Sequence, residues 1–335
     1  MNNKKISFGV LGGGSWATAL VKILTDNDLD KQVNWWLRDK QKVEYIRAHG
    51  HNRHYLSSVS FKNKSIVLFD ELETCIKASD VIVLAIPSAF VHTQFSGIDP
   101  SVFNGKSVVS AVKGLIPETS DILGDYLNLR MGVSPDRIGV ITGPCHAEEV
   151  ALEKLSYLTI GSENQALAQE VANHLQGTFI KTTITDDIYG TEYAAVLKNV
   201  YAIAAGICHG LRFGDNFLAV LVSNAIREIK RFIAEVHPIE RDIDDSAYLG
   251  DLMVTAYSQF SRNRTFGNML GKGYSVKSAQ LEMNMVAEGY YAVKTVHEMN
   301  QKLQVKMPIV DFVHDVVYGG KRAKDVVQDL VDQLN

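Results

Sequence analysis

The chain has 335 residues, with 34 basic against 38 acidic side chains, a formal charge of −4, 46% apolar and 21% charged residues. A near-neutral, slightly acidic chain carries no electrostatic footprint for a nucleic-acid polyanion, and so apolar a mixture excludes disorder. At ~100–200 residues per domain, the length predicts two domains.

The chain starts with polar Met1-Asn2-Asn3-Lys4-Lys5, which lacks the apolar core and cleavage site of a signal peptide. Strand-like runs follow at 6–11, 33–37, 66–69, 81–85, 107–112 and 137–142, alternating with helical windows at 15–26, 40–49, 71–78 and 118–129. Val81-Ile82-Val83-Leu84-Ala85 is apolar throughout, as a parallel strand covered on both faces should be. Alternation of this kind predicts an α/β unit, a doubly wound parallel sheet. Two further strands, 156–160 and 178–183, flank a helix at 164–176 and complete it. From Thr185-Asp186-Asp187, an N-cap with acidic first-turn residues, helical windows dominate: 188–208, 217–236, 247–260, 280–301 and 309–318. The expected organisation is therefore an α/β domain over 1–186 and an all-helical C-terminal domain over 187–335. The longest apolar stretch, 193–208, contains Lys198 and falls short of the ~18 residues of a membrane span. Cys75, Cys145 and Cys208 form no C-x-x-C pair, which points to a reducing, cytoplasmic compartment without disulfides or thiolate metal sites.

After the first strand comes Gly12-Gly13-Gly14-Ser15-Trp16-Ala17, a G-x-G-x-x-A turn opening a helix. Gly12 permits the tight turn, Gly14 the approach of a pyrophosphate, and Ala17 the packing of helix on strand. Free amides and the positive helix end then face the anion. An acidic residue ~20 positions further on usually holds the ribose hydroxyls of NAD. Here the second strand ends at Arg38, suited to a 2′-phosphate, with Asp39 next, so NAD and NADP both stay open.

Lys198 is the only formally charged side chain between Glu192 and His209, with Ala194, Ala195 and Ala202 about one turn away. Burial makes such an ammonium release its proton more easily, which suits an acid–base role; the alternative is a buried stem with its head in water. Lys113, in Val112-Lys113-Gly114, follows a parallel strand at the end where ligands of open sheets bind. Asp251 either orients a lysine or caps a helix. Ser261-Arg262-Asn263-Arg264, read as a basic loop, suits a phosphoryl group. In Gly143-Pro144-Cys145-His146-Ala147-Glu148, adjacent Cys and His suggest a thiol nucleophile but lack an orienting third group, so the backbone amides are the better ligand donors. His49, His51 and His54 have no acidic ligand nearby and read as solvated, so no metal is expected.

Together these segments resemble the bacterial glycerol-3-phosphate dehydrogenases that use NAD or NADP, over nearly the whole length. The resemblance rests on 12–20, Val112-Lys113-Gly114, Gly143-Pro144, Leu197-Lys198-Asn199-Val200, Gly250-Asp251-Leu252, 261–267 and Val286-Ala287-Glu288-Gly289-Tyr290. It implies a Rossmann domain followed by a helical one, and interconversion of dihydroxyacetone phosphate and sn-glycerol 3-phosphate, supplying phospholipid synthesis. It also implies a homodimer. Ser15, Trp16, Arg38, Lys113, Ala147, Arg262, Val286 and Glu288 fall at its cofactor positions. Lys113, Gly143, Cys145, Lys198, Asp251, Ser261, Arg262 and Asn263 fall at its substrate positions, with Lys198 transferring the proton. The chain departs at Ala17, usually Gly, at Cys145, usually Ser or Thr, at His146, usually aromatic, and at Ser57, usually Pro. A related hydroxyacid or ketopantoate reductase, and a non-catalytic nicotinamide sensor, are the rival readings; the basic 261–264 segment favours a phosphorylated substrate.

Overall fold

The computed structural model describes residues 6–27, 32–62, 64–283 and 287–335. They divide into two compact units: the first takes residues up to Ile86 with 90–112 and 123–188, the second 87–89, 113–122 and 189–335.

The first unit is built on an eight-stranded sheet: β1 (Phe8–Leu11), β2 (Val33–Trp36), β3 (Ile66–Phe69), β4 (Val81–Leu84), β5 (Ser107–Ser110), β6 (Ile138–Thr142), β7 (Ser156–Gly161) and β8 (Ile180–Thr185). Their order across the sheet is β3-β2-β1-β4-β5-β6-β7-β8. β1 and β4 lie side by side while the chain winds away from them in both directions, which makes the gap between their carboxyl ends the topological switch point. The helices of this half are α1 (Ser15–Asp26), α2 (Lys40–His49), α3 (Leu72–Lys77), α4 (Ser88–Phe95), α5 (Leu123–Met131), α6 (Ala147–Ala151) and α7 (Gln165–Leu175). The four residues of β1 and of β4 are buried, as continuous apolar runs require.

The expected all-parallel sheet is corrected at one pair, for β6 and β7 run antiparallel. A parallel return needs a crossover that spans the sheet. α6 has five residues, about 7.5 Å at 1.5 Å per residue, too short to span it, so the chain folds back on β6. The parallel order resumes between β7 and β8, which α7 connects.

The second unit is helical: α8 (Ile188–Gly210), α9 (Asp215–Val236), α10 (Asp251–Tyr257), α11 (Arg262–Gly271), α12 (Val276–Glu282), α13 (Glu288–Leu303), α14 (Pro308–Val317) and α15 (Ala323–Val331). Their apolar faces close around Tyr201, Phe232 and Phe266. The single helix expected over 280–301 is instead α12 and α13. The helix expected over 247–260 begins as a π-helical turn, Ser246–Gly250, and continues as α10. The basic loop is also corrected: Ser261 caps α11, its hydroxyl accepting from Arg264 N at 3.3 Å. A polar first turn hid this helix, whose apolar face starts only at Phe266 and continues at Leu270.

Candidate active site

In the first unit the glycine turn sits at the switch point. Gly12 has φ +138°, and a Cβ there would overlap the carbonyl of Ala85 just beyond β4, so only glycine fits. α1 opens at Ser15 with Gly14 as N-cap and no side-chain cap, and the Ser15 amide, which donates to no described acceptor, is left to an anion. Ser15 and Ala17 are buried and Trp16 is half-buried. Beyond β2, the Asp39 carboxylate caps α2 by accepting from Gln41 N at 2.9 Å. Arg38 is exposed, its guanidinium carbon 5.9 Å from the Phe90 ring centre. Gly143, with φ +105°, brings the chain so close to β7 that a Cβ would stand 2.9 Å from Tyr157 O. Cys145 is buried and in no disulfide, and Ala147 opens α6.

The second unit gathers the two lysines and the aspartate. Lys198, midway along the apolar α8, is 4% exposed and Asp251, at the start of α10, 1% exposed. The Lys198 ammonium pairs with Asp251 Oδ1, while Lys113 Nζ lies 3.8 Å from Asp251 Oδ2. Burial brings the Lys198 amine down from 10.5 to about 7; Asp251 opposes that shift and the like charge of Lys113 adds to it. An amine in this range can give up or take a proton near neutral pH. Thr255 donates to Asp251 O at 2.6 Å and so secures the first turn of α10.

Amides tie this cluster to its neighbours. Asn199 Nδ2 donates to Lys113 O at 2.7 Å, and Asn199 Oδ1 accepts from Asn263 Nδ2 at 2.9 Å. Asn263 Oδ1 in turn accepts from Gly289 N at 2.9 Å, linking the segment bearing Lys113 with α8, α11 and α13. Both ends of the Asn263 side chain are thus engaged by protein, leaving one N–H for a ligand. α8 and α11 cross backbone to backbone: a Cβ on Gly206 or Gly267 would overlap Arg264 O or Ile203 O, and Gly210 and Gly271 continue the contact one turn on. Arg262 is half-buried in the first turn of α11. Glu288 Oε2 accepts from Ser88 Oγ at 2.5 Å and Oε1 from Ser88 N at 3.2 Å. Gly114 leaves room for this pair, since a Cβ there would stand 2.7 Å from Glu288 Oε2. Burial pushes the Glu288 carboxyl above its usual range, against those hydrogen bonds and the charge of Arg262.

Lys113, Lys198, Asp251, Ser261, Arg262, Asn263 and Glu288 therefore belong to one unit, and Gly12, Gly14, Ser15, Trp16, Arg38, Gly143, Cys145 and Ala147 to the other. Val286 lies outside the described residues. Sequence reasoning passed over Asn199 and Ser88. An amide on an otherwise apolar helix was a signal for the first; nothing local marked the second. His49 stacks on Tyr45 with ring centres 4.1 Å apart, and among the described residues no group of three or more His, Cys, Asp or Glu side chains is placed to hold a metal. Nor is any described helix long and apolar enough to cross a membrane.

The comparisons with known proteins agree with this anatomy. Residues 7–168 match the model of the NAD-dependent glycerol-3-phosphate dehydrogenase N-terminus, and 187–328 that of its C-terminus. A glycerol-3-phosphate dehydrogenase (NAD(P)+) of Desulfotalea psychrophila is 32% identical over 335 residues, covering 99% of this chain and 98% of the relative. One from Clostridium botulinum is 33% identical over 327 residues, 98% of this chain and 97% of the relative. The crystal structure of glycerol-3-phosphate dehydrogenase from Coxiella burnetii superposes with a TM-score of 0.91 at 29% identity, covering 98% of this chain and 99% of that one.

Proposed function

Because this chain belongs to the NAD-dependent glycerol-3-phosphate dehydrogenase family, we propose that it interconverts dihydroxyacetone phosphate and sn-glycerol 3-phosphate with NAD(H) or NADP(H). The observation that carries the mechanism is the buried Lys198–Asp251–Lys113 cluster. The first unit suits a dinucleotide, since the Gly12 position admits no side chain and the Gly13, Gly14 and Ser15 amides, which donate to no described acceptor, are open to a pyrophosphate. When bound, the nicotinamide supplies or takes the hydride. Lys198, as ammonium, stabilises negative charge growing on the substrate's carbonyl oxygen and donates the proton to it; in the oxidising direction the neutral amine accepts the proton from the hydroxyl. Asp251 orients Lys198 and keeps enough of it protonated near neutral pH. Lys113 adds positive charge for substrate and cofactor. Arg262, with Ser261 and the remaining N–H of Asn263, takes the phosphate through charge-assisted bonds.

Asp39 is engaged as a helix cap and Arg38 is exposed, an arrangement that supports use of NADP as well as NAD. Gly143, Cys145 and Ala147 contribute backbone amides, and Glu288 holds Ser88. Supply of glycerol 3-phosphate for phospholipids, a cytoplasmic location and a homodimer complete the reading; the family likeness supports them.

The test is to follow nicotinamide oxidation spectrophotometrically with purified protein, dihydroxyacetone phosphate and either NADH or NADPH, beside the same assay on Lys198→Ala. Turnover by the wild type and none by the variant, with dinucleotide binding retained, is the expected result. Reduction of ketopantoate or a 2-keto acid in preference to the triose phosphate, or an active Lys198→Ala protein, overturns the reading.

A further inference from the structure

Each carbonyl oxygen of the glycine turn is held by a protein donor. Gly12 O accepts from Trp35 Nε1 at 2.7 Å, and Gly13 O from Asn52 Nδ2 at 3.2 Å. Gly14 O accepts from the amide and the hydroxyl of Thr18 at 3.0 and 2.9 Å. Gly12 N is also engaged, donating to Trp36 O at 3.1 Å. Among the described residues, the amides of Gly13, Gly14 and Ser15 donate to no protein acceptor. The two patterns are one fact. In a trans peptide the C=O and the following N–H point in opposite directions within a rigid plane. Pinning the carbonyls of residues 12, 13 and 14 therefore aims the amides of residues 13, 14 and 15 the other way.

The donors are themselves fixed. Trp35 is fully buried on β2, edge-on to Phe61 with ring centres 5.2 Å apart. Asn52, 1% exposed, also donates from Nδ2 to Thr18 Oγ1 at 3.0 Å and accepts His54 N on Oδ1 at 3.2 Å, so its amide cannot flip without losing three bonds.

We propose that Trp35 and Asn52 are positioning residues for the dinucleotide, which hold the turn's carbonyls back so that three consecutive amides converge on its pyrophosphate. Neither touches the ligand. Without Trp35 Nε1 the Gly12 peptide loses its anchor, and rotation of that plane turns a carbonyl lone pair towards the anion and an amide away. The inference rests on the dehydrogenase reading, because it takes the turn to be the pyrophosphate site.

The experiment uses the purified full-length chain and two variants. Trp35→Phe keeps an aromatic ring and removes the donor; Asn52→Asp keeps the shape and replaces the donating NH2 by an acceptor. Losing a donor to a buried carbonyl should raise KM for NADH and NADPH, and the inhibition constant of ADP-ribose, roughly tenfold. KM for dihydroxyacetone phosphate and kcat at saturating dinucleotide should stay within about twofold. A merely structural role would not separate these parameters. If one variant does not fold, the other carries the test. Unchanged dinucleotide KM in the folded variants, or an equal rise in both KM values, overturns the inference while leaving the dehydrogenase reading intact. A wild-type protein that binds neither dinucleotide overturns both.

Discussion

Replacement of Asp251 by Asn tests the proton-transfer cluster most directly. The carboxylate is the one influence that raises the Lys198 pKa; burial and Lys113 both lower it, and the balance stands at about 7. At pH 7.5 that leaves about a quarter of Lys198 as ammonium by simple titration. An opposite charge at contact distance is commonly worth ~1–3 pKa units. Removing it, with asparagine filling the same space, leaves burial and Lys113 unopposed. A fall of one to two units cuts the ammonium fraction at pH 7.5 by about 8- to 80-fold, and ketone reduction with it. Breaking a buried ion pair costs ~3–5 kcal/mol when the survivor stays charged, but Lys198 escapes part of that cost by neutralising. The assay is kcat for reduction from pH 5.5 to 9 in wild type and Asp251→Asn. The wild type should lose rate above about pH 7, and the variant should lose it at least one unit lower and recover at acid pH. Oxidation of glycerol 3-phosphate, which needs the neutral amine, should shift its rising limb the same way and suffer less at pH 7.5. An unmoved limb, or equal losses in both directions at every pH, would refute the assignment of Lys198 as the titrating acid.

Gly267→Ala forces a methyl into Ile203 O and within 2.9 Å of Ile207 N, so α8 and α11 must part and the 2.9 Å Asn263–Asn199 bond must stretch. Denaturant melts should show a loss of about 1–3 kcal/mol, and KM for the triose phosphate should rise while that for the dinucleotide does not; an unchanged melt would deny the close crossing. Glu228 is fully buried and accepts Ile309 N at 2.8 Å, and burial raises its carboxyl from 4.5 to about 8. A carboxyl whose folded pKa lies above its unfolded one contributes stability that is complete below about 4.5 and is lost as pH rises through about 8. Calorimetry should therefore find Glu228→Gln gaining on wild type in Tm across that interval and level above it; a constant difference would mean that Glu228 does not titrate there. Arg38→Ala should raise KM for NADPH by about tenfold or more, the worth of a charge-assisted bond to a 2′-phosphate, and leave KM for NADH nearly unchanged. Equal effects on the two cofactors would remove Arg38 from the ribose end.

Patterns that depend on near neighbours in the chain could be read before any coordinates. The continuous apolar run at 81–84 marks a strand covered on both faces, and β4 has four buried residues. Gly12 through Ala17 mark a turn between strand and helix because the backbone at Gly12 admits no side chain. One lysine amid apolar residues on α8 singled out Lys198, but whether its head is buried or reaches water was decided only by packing, which leaves it 4% exposed. Features that depend on which distant segments meet were not legible. A five-residue α6 reverses β7; residues 87–89 and 113–122 join the helical unit although they lie within the α/β half of the sequence. α11 is concealed by its polar first turn, and its place against α8 depends on paired glycines in both helices. Asn199 and Trp35 matter through partners far along the chain, among them carbonyls 86 and 23 positions away. The protonation of Lys198 depends on the balance of burial, Asp251 and Lys113, three contributions from segments far apart in sequence. Composition and spacing determine which surfaces a segment must bury and which backbone shapes it can take. Packing alone determines what charge or carbonyl then stands beside it, because electrostatic and hydrogen-bond energies fall off over distances shorter than the separation of those segments along the chain.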